Sequence, residues 1–117
     1  MAERNMDMKK CPMPVQDPDV RNKNFDEVAL GYTYDMAVNE ARRCLNCPKK
    51  PCQSACPVQI DIPAFIERVA NEDMDGAFEI LSKSTSLPAV CGRVCPQENQ
   101  CEGKCVRGIK GEAVSIG

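Results

Sequence analysis

The sequence predicts a small helical domain stapled together by its cysteines, and three observations predict it. The chain has 117 residues but no Trp, three Phe and two Tyr, so its core is modest. It has nine Cys, eight of which fall into two tight runs. Before and between those runs lie stretches with helix-start residues and apolar side chains at three- and four-residue steps. A small, aromatic-poor core needs staples such as a metal or a partner surface, and the cysteines are the evident source.

Taken in order, residues 1–24 read as an extended arm, because Cys11-Pro-Met-Pro14 and Asp17-Pro18 disfavour helix. Met6, Met8 and Met13 are read as disordered residues of that arm. Phe25-Asp-Glu-Val-Ala-Leu30 is a short apolar stretch that Gly31 can end. Thr33 caps a helix predicted over 33–43, with Val38, Ala41 and Leu45 along its apolar face. Asp61 caps a second helix over 62–71, with Pro63 tolerated in its first turn and Phe65, Ile66, Val69 and Ala70 as its stripe. A third helix over 74–83 carries Ala77, Phe78 and Leu81 toward the core. The tail, 106–117, holds a Val114-Ser-Ile116 alternation expected to run extended. The end at Gly117 reads as a boundary within a longer protein.

Charge and composition exclude several classes. Fifteen Lys plus Arg against 17 Asp plus Glu leave a net charge of -2, against the basic excess of a nucleic-acid binder. No stretch has the length of about 18 apolar residues that a membrane span needs, and the polar N-terminus lacks a signal-peptide core. A cytoplasmic location follows as the expectation. In a reducing compartment clustered cysteines read as metal ligands rather than disulfides. The chain has no His, which removes mixed Cys/His zinc sites, Rieske-type centres and any His general base.

The first run is Cys44-x2-Cys47-x4-Cys52-x3-Cys56-Pro57, and the second is Cys91-x3-Cys95-Pro96-x4-Cys101-x3-Cys105. Eight thiols in two groups suit two four-thiolate sites. A cubane cluster needs thiolates spread around a volume several atoms wide. Bacterial ferredoxins supply them as closely spaced cysteines ending in C-x3-C-P, whose last Cys serves the other cluster. The first run ends in that form but places four residues, Pro48 to Pro51, between its second and third Cys. Zinc runs favour paired C-x2-C spacings, and one such pair occurs here. The competing reading is a zinc-stabilised, cysteine-rich interaction module without redox role. Cys11 stands outside both runs and is read as a free thiol.

Glu27-Val, Gly31-Tyr-Thr33, Glu40-Ala-Arg-Arg-Cys44-Leu-x-Cys47, Cys56-Pro-Val-x-Ile60-Asp-Ile-Pro63, Cys91-Gly-Arg-Val-Cys95-Pro and Cys101-Glu-Gly-x-Cys105 together resemble one family. It is the N-terminal iron–sulfur domain of the NADPH-dependent glutamate synthase small (beta) subunit, which is similar to the N-terminal domain of dihydropyrimidine dehydrogenase and to the large subunit of NADH-dependent ferredoxin:NADP oxidoreductase. The resemblance covers residues 25–117. It implies an all-α, helical-ferredoxin-like domain with two [4Fe–4S] clusters, preceded by the arm. It implies that Cys44, Cys47, Cys52 and Cys105 hold one cluster and that Cys56, Cys95 and Cys101 hold the other. The fourth ligand of the second cluster is either Cys91 or a Glu or Gln oxygen just beyond Gly117. The implied role is to relay electrons between a flavin/NAD(P)H site and a partner redox centre in a glutamate-synthase-like oxidoreductase. No G-x-G-x-x-G occurs in the chain, so FAD and NAD(P)H are expected in a following domain of the parent chain. A large catalytic subunit or a ferredoxin is the expected further partner, with no nucleic acid and no membrane.

Arg42, Arg43, Lys49 and Lys50 flank the first run and read as a solvated basic face, or more sharply as charges that offset a cluster or guide a partner. Arg93 and Arg107, beside cysteines of the second run, are either exposed or hydrogen-bonded near a cluster.

Overall fold

The computed structural model describes residues 3–117. The described chain is helical, with one isolated bridge, Val15 to Ala29, in place of any sheet. Six short helices follow in order: α1 Pro18–Arg21, α2 Tyr34–Ala41, α3 Pro51–Ala55, α4 Ile62–Ala70, α5 Met74–Ser82 and α6 Pro88–Val94. Three 3-10 turns follow at Gln97–Asn99, Glu102–Lys104 and Val106–Gly108.

The three helices expected from sequence form where their caps place them. Thr33 Oγ1 accepts from the Met36 N–H at 3.3 Å, Asp61 Oδ1 from Ala64 at 3.3 Å, and Asp73 Oδ1 from Gly76 at 2.9 Å. Each satisfies one of the N–H groups that the first turn leaves without a helical partner. Helix α4 is the spine: Ile62, Ile66 and Ala70 are buried, and α2 and α5 pack on it. Ala41, Ile60, Cys101 and Val114 complete the core, and Cys44, Cys52, Cys56 and Cys105 pack against it. Cys101 is thus part of the core, and these four cysteines border it.

Three expectations need correction. Phe78, assigned to the core, is 60% exposed, because the face of α5 that carries it turns to solvent while Ala77 on the adjacent face is buried. The arm is not free. It contains α1, it pairs with the 25–30 stretch through Gln16 N–H to Val28 O and Leu30 N–H to Pro14 O, and Met8 O accepts from Glu112 N–H at 2.8 Å. Arg43 is no part of a solvated face, being 1% exposed. Lys50 keeps its place on that partly solvated face, where it pairs with Asp61 at 2.9 Å. No helix among the described residues is long and apolar enough to cross a membrane.

Candidate metal centre

Local backbone chemistry presents the first run. Helix α2 ends at Ala41, and Cys44 follows one turn later, its N–H bonded to Ala41 O. The loop beyond it passes through two left-handed residues, Asn46 at φ 51° and Lys50 at φ 46°. Asn tolerates that conformation better than most side chains. The turn at Asn46 aims its N–H at Cys44 Sγ, 3.4 Å away. The turn at Lys50 starts α3, so Cys52 falls in a first turn whose N–H groups are free to face its sulfur. Cys56 ends the same helix in extended conformation.

The second run is built from α6 and the 3-10 turns. Cys91 lies within α6 and Cys95 ends it, one turn later, with Cys95 N–H bonded to Cys91 O at 3.1 Å. Cys101 opens the 102–104 turn, and Cys105 joins that turn to the next.

The tertiary structure then mixes the two runs. Cys44, Cys47 and Cys52 of the first run and Cys105 of the second line one pocket, closed by Leu45, Ile62, Ile66, Val114 and Ile116. Burial pushes the Cys44 thiol up. Its bond from Asn46 opposes this, and the neighbouring Cys105 and Cys47 add to the rise. Burial raises Cys52 to about 11, against the pull of the backbone N–H of Gln53, with Cys44 and Cys105 again adding. Among the remaining thiols, charge on one neighbour affects another. Burial raises Cys95, with Cys91 and Cys56 adding. Burial raises Cys101 to about 11, with Glu102 and Cys56 adding. Cys91 also lies 3.7 Å from Thr85 Oγ1. Cys105 of the second run thus lies with three cysteines of the first, and Cys56 of the first lies near Cys95 and Cys101 of the second.

The donor chemistry fits a cluster. The first set brings four cysteines to one pocket whose other lining residues include Leu45, Ile62, Ile66, Val114 and Ile116, and thiolates are the ligands that iron–sulfur clusters take.

Residues 21–117 match the family described as dihydropyrimidine dehydrogenase domain II, 4Fe-4S cluster. The chain belongs to this family. Among its relatives is the glutamate synthase [NADPH] small chain of Halomonas elongata, 38% identical over 123 residues, an alignment covering 100% of this chain and 26% of the relative. Another is the NAD-dependent dihydropyrimidine dehydrogenase subunit PreT of Escherichia coli K12, 39% identical over 93 residues, 80% of this chain and 23% of that protein. PreT of Salmonella typhimurium is 43% identical over 83 residues, 71% of this chain and 20% of its own length. The chain spans about a quarter or less of the curated relatives it matches. As a 4Fe-4S domain of this family, it is an electron-transfer module of the kind found in glutamate synthase small chains and dihydropyrimidine dehydrogenase subunits.

One feature escaped the sequence reading, the Glu40–Arg43 pair, buried at 2% and 1% exposure. Its sequence trace is a Glu-x-x-Arg spacing just before the first run. Of the two alternatives open for Arg93 and Arg107, Arg93 is exposed and pairs with Glu27 at 2.6 Å, while Arg107 lines the pocket of the first cysteine set and donates to Asp7 O.

Proposed function

We propose that this chain carries two [4Fe–4S] clusters and relays single electrons between a flavin/NAD(P)H site and a partner redox centre. Cys44, Cys47, Cys52 and Cys105 hold the first cluster. Cys56, Cys95 and Cys101 hold the second. The observation that carries the reading is the crossing of the runs: Cys105 joins the first three thiols around one pocket, while Cys56 neighbours Cys95 and Cys101. Such crossing is the ligand exchange of two-cluster ferredoxins. When bound, the clusters supply one-electron redox capacity. The chain holds them, excludes water and aims N–H groups at sulfur, as Asn46 does at Cys44.

The parent protein is a cytoplasmic, NAD(P)H-dependent flavin iron–sulfur oxidoreductase of the glutamate synthase small subunit type, with the flavin- and nucleotide-binding region following the 25–117 domain. A large catalytic subunit or a ferredoxin takes or supplies the electrons.

Two candidates complete the second cluster. Cys91 lies one helical turn before Cys95 and is among the neighbours that raise its thiol, which favours it. An oxygen ligand following Gly117 is the other, and Gly117 lies against Gly92, next to Cys91. Cys91→Ser in the full-length protein, purified without oxygen, separates them. Loss of one cluster's signal assigns the ligand to Cys91, and about eight irons per chain with both signals kept assign it to the oxygen. A colourless protein with stoichiometric zinc after anaerobic reconstitution would sink the electron-transfer reading altogether.

A further inference from the structure

The buried Glu40–Arg43 pair has no part in the ligand sets. Removing a charged pair from water is costly, and it persists only where partner and hydrogen bonds compensate both ions. Besides the 2.8 Å bond between them, the bonds these two side chains make go to two segments distant in sequence. Toward the arm, Glu40 Oε1 accepts from Cys11 N–H at 2.7 Å, and Arg43 Nε donates to Asp7 O at 3.0 Å. Toward the tail, Glu40 Oε2 accepts from Ser115 N–H at 2.9 Å, and Arg43 donates to Glu112 O at 2.6 Å and Ala113 O at 3.2 Å.

The tail leads back to the thiols. Val114 and Ile116, on either side of the Ser115 amide that Glu40 holds, both line the pocket of Cys44, Cys47, Cys52 and Cys105. Val114 is 2% exposed.

We propose that Glu40 and Arg43 are a positioning pair for the first cluster: by pinning residues 112–115 they seat Val114 and Ile116 as an apolar lid that keeps water and chelators from it. The inference rests on the reading that this thiol set holds a cluster. Solvent access and packing around a cluster govern its lability and its potential, so a residue that touches no sulfur can set both.

Anaerobic iron release to a ferrous chelator, followed in the full-length cluster-loaded protein, tests this. Two phases are expected, and the first cluster's phase is the one lost in Cys44→Ala/Cys47→Ala. Arg43→Met and Glu40→Gln are expected to speed that phase on the order of tenfold, as loss of a group supporting metal ligands does. The second phase stays unchanged, and Arg43→Lys restores part of the effect. Because Arg43→Met can unfold the chain, Ile116→Ala provides an independent arm: it trims the lid, leaves the pair intact, and is expected to speed the same phase and shift the same cluster's potential. No acceleration in any of these variants, or equal acceleration of both phases, overturns the proposal. A wild-type protein with no phase that the double Cys variant removes overturns the ligand assignment itself, a different and recognisable result.

Discussion

Cys101 in the core and Cys52 packed against it are thiols raised by burial to about 11 from an ordinary 9.0. The direction fixes a pH effect on the metal-free chain. The unfolded thiols ionise near their ordinary value while the folded ones keep their protons, so stability present below about pH 9 is lost as pH rises toward 11. Urea midpoints of the metal-free protein should therefore fall between those values, and less so in Cys52→Ala. A midpoint independent of pH across that window would show that burial of these thiols has no such consequence. Loading metal reverses the preference, since the ligands must lose their protons to bind. At this same scale Arg43 shows what sequence hides. Its neighbours Arg42, Lys49 and Lys50 gave every appearance of a solvated basic face, and it is the buried Glu40 together with the arm and tail carbonyls folded around it that make its burial possible.

Helices here are specified by their first residues more than by their length. Asp61 carries two duties: it caps α4 at Ala64 and it pairs with Lys50 at the start of α3. Thr33 only caps α2. Thr33→Ala is expected to cost about 1 kcal/mol, the usual value of a cap. Asp61→Ala should cost that and up to about 1 kcal/mol more, the range of a partly exposed ion pair. Asp61→Asn should recover the cap contribution alone. Denaturant titrations of the three variants check this, and equal losses for Thr33→Ala and Asp61→Ala would mean that the Lys50 pair contributes nothing. The caps were legible in sequence because a cap is a contact over three residues. The exposure of Phe78 was not, because the α5 pattern tells which residues share a face but not which face the rest of the chain covers.

For the molecule as a whole, the crossed thiol sets tie segments 44–56 and 91–105 to each other. Metal binding is then folding free energy for both at once. The metal-free chain is expected to keep α2, α4 and α5 partly formed, since Ile62, Ile66, Ala70 and Ala41 still bury apolar surface, while both cysteine runs loosen. Amide exchange should slow at Cys44–Cys56 on cluster loading. Exchange equally slow there with and without iron would refute the coupling.

The sequence by itself determined the three helices, the caps of two of them, the two thiol runs and, through motifs spread over 25–117, the family. Each depends on residue type at short spacing, which a linear chain displays directly. The tertiary structure alone decided that the arm docks, that Phe78 faces water, and that a charged pair sits at the join of both chain ends. These are contacts between residues up to a hundred positions apart. Their energy depends on what surrounds a group after folding, and no local pattern of charge or hydrophobicity encodes which distant backbone carbonyl an arginine will meet.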